Sequence, residues 1–508
     1  MLQRNKACNN CRRRKIKCNG HRPCCSQCAL LPGGPKAASC EYLAPTPKEG
    51  HQTPRQLLEH IQVLKAQIQE LQELRQGEEI KPPILLYSPY GPNSDSTSNP
   101  TTPEPTIDPS TLEILGPPMD LITTLVSIFL DRFAESVFFF LDVRTLPLGR
   151  PVPISRTLIN VIALWACVIS PSVLCEPYTE NTLLRCALRS LPQDIAEFMC
   201  PLLAIQIIQA EVLLSCYFLH AGRPVEGRTH CVAAVSLALD AGLHALGASS
   251  LPRADAYPAF PLAQPALPPA TDPEQAAERV NAFWAVWVLN NYWVAFQGTP
   301  SAISRGLFID TPWSGGVLGG ATIAQFLDGN DQEGFTSVAL LAKASTLLER
   351  VVTFCVRTTE APEPLVYGSF AARLQIFHAT LPPLPGDTNL VIAHALTDLA
   401  IVRLHAPYAH ASEPIRSKFL AAAARIVANL NGLCELGSVH TVVPVLVLVG
   451  ATICNVYRDE LAALREGEIG ASLRTQQDIE AQFSTLMSAM SAFAATSPVA
   501  HRSFTLTL

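Results

Sequence analysis

Six cysteines in the first 40 residues are spaced Cys8-x2-Cys11-x6-Cys18-x6-Cys25-x2-Cys28-x11-Cys40, and Arg12-Arg13-Arg14-Lys15-Ile16-Lys17 lies between the second and third. A CxxC pair brings two sulfurs to one face of a turn, where both can grip one tetrahedral zinc. Six thiolates give two zinc ions four ligands each only when two of the cysteines bridge both metals. Cys24 is an extra thiol, but taking it in place of Cys25 breaks the second CxxC, so Cys25 is the expected ligand. Pro32-Gly33-Gly34-Pro35 reads as a looped insertion ahead of Cys40. A disulfide knot fits less well, because disulfides belong to oxidising compartments and Met1-Leu2-Gln3-Arg4 opens no apolar signal core. A redox CxxC would sit beside a βαβ pattern, and none is visible.

The string Ala7-Cys8-Asn9-Asn10-Cys11-Arg12-Arg13-Arg14-Lys15-Ile16-Lys17-Cys18-Asn19-Gly20, followed by Arg22-Pro23 and Cys25-Ser26-Gln27-Cys28, resembles the fungal binuclear zinc-cluster transcription factors, in which six cysteines hold two zinc ions. The resemblance implies that Cys8 and Cys25 bridge two zinc ions, that Cys11 and Cys18 complete one, and that Cys28 and Cys40 complete the other. It also implies double-stranded DNA as partner, CGG-like triplets as the sequence read, and a nuclear regulator of RNA polymerase II genes of primary or secondary metabolism. A helix starting after Cys11 is expected to present its first residues to the major groove. Arg14 and Lys15 are the expected base readers, since Arg and Lys donate to guanine O6 and N7. Arg12, Lys17, Arg4 and Lys6 are expected on phosphates, which fixes register without reading sequence.

Charge supports the same division of labour. Of 37 Lys and Arg, nine fall in residues 1–40, where there is no Asp or Glu; beyond residue 40 the acidic residues outnumber the basic ones. Positive charge is thus concentrated where a polyanion would be met. The cysteines after the cluster are scattered among apolar residues and read as small buried hydrophobes. Hydrophobic residues make up 48% of the chain, but the most apolar run, Val439–Cys454, is short for a bilayer span and contains Pro444; a buried helix is expected and no membrane partner.

The elements that must position the cluster follow it along the chain. Residues 1–45 form the cluster domain and 46–56 a proline-interrupted linker. Leu57, Ile61, Leu64, Ile68 and Leu71 recur at alternating spacings of four and three, the seam of a short coiled coil over 57–76. Few charges flank that seam, which favours a homodimer. Residues 77–118 are rich in Pro, Ser, Thr and Asn and read as a disordered linker. From 119 to 500 the pattern is helical, with Leu121, Leu125, Ile128, Phe129, Phe133, Val137 and Phe140 on one face and Val232, Val235, Leu239 and Leu243 on another. The expected fold class is mostly α: a small two-zinc, six-cysteine cluster module, a short coiled coil, then a large all-helical domain.

That helical body resembles the fungal-specific transcription factor domain. The matching stretches are Ile128–Phe133, Ile207–His244 with its Ala221-Gly222-Arg223 turn, Glu278–Trp284, and Gly298-Thr299-Pro300-Ser301-Ala302-Ile303. An enzyme is the competing reading, but HExxH, GxSxG, P-loop and GxGxxG motifs are missing from the sequence, and His220, His230 and His244 lack a spaced ligand partner. A scaffold whose cluster binds protein is disfavoured by the uncompensated basic residues. The body's own task stays open among sensing a small-molecule effector, restraining an activation segment that contacts co-regulators or the transcription machinery, and serving as a dimer scaffold.

Overall fold

The computed structural model describes residues 7–13, 15–22, 25–29, 40, 119–142, 154–170, 178–198, 200–247, 267–317, 320–330, 333–357, 364–384, 387–435, 444–466 and 473–494. The chain divides into two compact units, Met1–Thr102 and Pro103–Leu508. Among the described residues it is 74% helical with no strands. The first unit holds α1 (Asn9–Arg13) and α2 (Ser26–Ala29) around the cysteines. The coiled-coil seam from Leu57 to Leu71 lies outside the described residues.

The second unit runs through α3 (Met119–Phe133), α4 (Arg156–Ile169), α5 (Glu180–Ala196), α6 (Pro201–His220), α7 (Pro224–Asp240) and α8 (Pro273–Gln297). It continues with α9 (Thr322–Leu327), α10 (Ser337–Arg357), α11 (Pro364–Thr380), α12 (Thr388–His405), α13 (Glu413–Glu435), α14 (Pro444–Glu466) and α15 (Leu473–Ala494). Prolines open α6, α7 and α8 at their first position, where a missing N–H costs nothing. Asp272 caps α8 by accepting the Gln275 N–H at 2.7 Å, and Gly298 ends it at φ 64°. Helices adjacent in sequence pair in space, as α4 with α5, α6 with α7, α12 with α13 and α14 with α15, while α10 lies between α8 and α12. Gly227 lets α7 approach α8: a Cβ there would meet Trp293 at 2.7 Å.

One core of buried apolar side chains runs from Leu125 to Phe493. The stretches Leu203–His220 and Thr388–Tyr408 are apolar and long enough to cross a membrane, yet 89% and 67% of each is buried in the fold. The expected buried helix over Val439–Cys454 corresponds to α14, with Val445, Val449 and Ile453 fully covered.

Two expected apolar faces are corrected. Helix α3 ends at Phe133, so Val137 and Phe140 are not on it. They belong to Val137–Leu141, a non-helical strip of five consecutive buried residues. A buried strip without a helical ladder needs other hydrogen-bond partners. Gln209 of α6 supplies some, accepting the Phe140 N–H at 2.9 Å and donating to Phe138 O at 2.7 Å. Asn389 of α12 supplies others, accepting from Val137 N–H at 3.1 Å and donating to Glu135 O at 2.8 Å. Val232, expected inward, is 42% exposed because the buried stripe of α7 runs instead through Cys231, Val235 and Ala238. We expect Gln209→Leu to orphan one buried N–H and one buried C=O, costing roughly 2–4 kcal/mol by the usual cost per unsatisfied group. A thermal transition within a degree of the parent would show that the strip does not depend on Gln209.

Candidate metal centre and nucleic-acid interface

Cys8, Cys11, Cys18, Cys25, Cys28 and Cys40 form one buried cluster, with Ala7 against it. Each CxxC opens a short helix whose first cysteine stands at the cap. The Cys8 Sγ accepts the Cys11 N–H at 3.5 Å, and the Cys25 carbonyl accepts the N–H groups of Cys28 and Ala29 at 3.0 Å. This nucleates α1 between the two cysteines, not after the second as the sequence led us to expect. Asn19 links the halves by accepting the Ser26 N–H at 3.2 Å at the start of α2, and Gly20 turns the chain at φ 73°.

The sulfur separations test the fit to zinc. A Zn–S bond of about 2.3 Å places tetrahedral sulfurs about 3.8 Å apart. Here Cys8 and Cys25 are 3.8 Å apart, Cys8 and Cys28 3.8 Å, Cys11 and Cys25 3.5 Å, and Cys8 and Cys18 4.0 Å. Cys8, Cys11, Cys25 and Cys28 lie within 4.8 Å of one another. The Cys40 Sγ accepts the Cys25 N–H at 3.2 Å. Cys8 and Cys25 touch cysteines of both halves, and so does Cys11, whose sulfur lies 4.0 Å from that of Cys28.

Three of the thiols, Cys8, Cys11 and Cys28, are poorly placed to ionise on their own. Burial pushes Cys8 up to about 12 and drives Cys11 higher, with neighbouring sulfurs adding to it. Burial also raises Cys28. At Cys18 burial acts upward too, but N–H groups of Cys8 and Gly20 outweigh it and bring the thiol down to about 7. Six buried cysteine sulfurs in one cluster are the donor set that divalent cations bind as thiolates.

The basic run leaves this cluster at the end of α1. The Ile16 N–H bonds back to Cys11 O at 3.1 Å, and Lys15 sits at φ 52°. This is a Schellman closure with lysine in the left-handed position that glycine usually takes. Lysine there costs about 1–2 kcal/mol relative to right-handed backbone. Lys15, Ile16 and Lys17 are exposed, as is Arg13, which the sequence reading had not placed at the interface. Arg12 is in the α1 backbone; Arg14, Arg4 and Lys6 lie outside the described residues. Lys15 therefore stands at the C-terminal end of a helix, not on its first turn.

With this geometry in view, the comparisons are specific. Residues 6–49 match the fungal Zn(2)-Cys(6) binuclear cluster domain, and residues 158–309 match the fungal specific transcription factor domain. No curated protein matches the chain significantly. The chain carries a zinc-cluster DNA-binding domain and a fungal-specific transcription factor domain. It is a zinc-dependent DNA-binding transcription factor whose cluster domain binds two zinc ions. Both matched families are transcription-factor domains, not enzymes.

Proposed function

We propose that the protein binds CGG-like triplets in the major groove as a homodimer and regulates metabolic or secondary-metabolite genes in the nucleus. Two zinc ions are held with Cys8 and Cys25 bridging, Cys11 and Cys18 on one metal, and Cys28 and Cys40 on the other. Residues 1–45 are the reading domain, 57–76 the dimer seam, 77–118 a spacer, and 119–500 the regulatory body through which co-regulators are reached. Arg14 and Lys15 read bases, while Arg4, Lys6, Arg12 and Lys17 hold phosphates. The observation carrying this reading is the six-sulfur cluster with exposed Lys15 and Lys17 directly behind its first helix.

Lys15 gives the decisive test, because its backbone separates folding from reading. Lys15→Ala keeps the left-handed strain and should relax preference at a guanine by about 1–3 kcal/mol. Lys15→Gly should lose the same preference while leaving the zinc-loaded domain at least as stable, since glycine adopts that φ freely. Binding measured across triplet variants checks both. A uniform loss over all sequences would remove Lys15 from the base-reading set.

One triplet carries too little information to single out genomic sites, so paired reading matters. Placing charge on the seam in the double variant Ile61→Asp/Ile68→Asp should abolish tight binding to paired triplets while sparing weak single-triplet binding. Equal binding of paired sites by parent and variant in gel-shift titrations would move dimerisation elsewhere or make the protein a monomeric reader.

A further inference from the structure

Helices α11, α12 and α13 enclose a groove of about 410 Å³ in the second unit, a size typical of small-molecule sites. Its apolar wall includes Leu374, Ile401 and Ala421, and its polar lining consists of Gln375, His378, His405, Lys418 and Arg425. No carboxylate lines it among the described residues. One acid lies behind: Asp398, 1% exposed, accepts on a single oxygen, Oδ1, from Arg425 Nε at 2.9 Å and Nη2 at 2.5 Å. His378 Nε2 is 3.4 Å from the same oxygen. That one-edged grip fixes the guanidinium and leaves Nη1 without a partner within the described residues. Lys418 is exposed, with no ion pair among the described residues. Tyr367 Oη meets His405 Nδ1 at 2.7 Å. Burial, then the charge of Lys418, hold the His405 imidazole below its ordinary value. The lysine and arginine side chains lining the groove are Lys418 and Arg425, the second paired through one edge with Asp398.

From this charge and shape we infer that the groove binds a small amphipathic monocarboxylate, its carboxylate between Lys418 and Arg425 and its chain along Leu374, Ile401 and Ala421. Charge-assisted hydrogen bonds to a carboxylate are the strongest use of these two cations, and an aliphatic chain covers the wall between them. Asp398 is a positioning residue, holding Arg425 by one edge so that the other faces the ligand. The inference is independent of the triplet reading, because the groove lies wholly within the second unit.

Octanoate is the probe, titrated calorimetrically into the zinc-loaded full-length protein, with octanol and inorganic phosphate as controls. Saturable octanoate binding is expected, with neither control binding comparably. Lys418→Gln should weaken it about tenfold, the scale of one charge-assisted contact. Ala421→Trp should abolish it by filling the wall. Both positions are exposed, so unchanged thermal transitions without octanoate exclude misfolding as the cause. Phosphate binding as tightly as octanoate would reduce the groove to a bare cation pair and overturn the amphipathic class. Octanol binding equally well, unaltered affinity in Lys418→Gln, or no saturable octanoate binding into the millimolar range would overturn the site. DNA binding measured on the same samples keeps this outcome separate from that of the triplet reading.

Discussion

Chelating zinc from the full-length protein should unfold residues 1–45 and abolish specific DNA binding, while the helical domain keeps its thermal transition. Outside the cysteines, the cluster's described core has only Ala7 packed against it, so metal binding must stand in for a hydrophobic core. Structural zinc supplies on the order of 10–16 kcal/mol in such small domains, far above what one alanine could contribute. Mass spectrometry under native conditions should find two zinc ions per chain, and rebinding should release protons, because each ligand binds as thiolate. The adjacent cysteines provide the sharper test. Cys25→Ser removes a sulfur that contacts both halves of the cluster and should prevent refolding with zinc; Cys24→Ser should be tolerated. The opposite result would exchange the two in the ligand set, and a one-zinc endpoint would remove the bridging arrangement altogether.

The cluster was legible because metal ligands are specified locally: the two CxxC pairs and the basic run are separated by short, fixed spacings. The end of α1 was not, because a lysine at a left-handed position contradicts the glycine signal that normally marks a helix stop. Capping by Cys8 was also hidden, since cysteine is not among the usual cap residues. Within the body, helical periodicity located α7 but carried α3 too far. Val137–Leu141 is as apolar as a core helix, and only the distant Gln209 and Asn389 show how its backbone groups are satisfied. The groove had no sequence signature at all. Its Arg425, Lys418, His405 and His378 come from three helices, and the Asp398 that orients Arg425 is 27 residues away in the chain.

Arg416→Met should strongly destabilise the helical domain. Arg416 of α13 and Glu460 of α14 are each 2% exposed. Arg416 Nε and Nη2 donate to Glu460 Oε2 at 3.0 and 2.9 Å, and Nη1 lies 3.8 Å from the exposed Glu413. His410 Nε2 meets the other Glu460 oxygen at 2.9 Å. Removing the arginine strands a buried carboxylate with only an imidazole for support, which costs about 3–5 kcal/mol. At about 2 °C per kcal/mol for a large domain, calorimetry should record a fall of roughly 6–10 °C. The double variant Arg416→Met/Glu460→Leu removes both charges at similar volume and should recover most of that loss, since a buried pair adds little net stability over an apolar contact. If the double variant is as unstable as Arg416→Met, then the pair serves a geometric role that apolar side chains do not replace. That outcome would show in octanoate binding too, because Lys418 and Arg425 ride on the helix that Arg416 anchors.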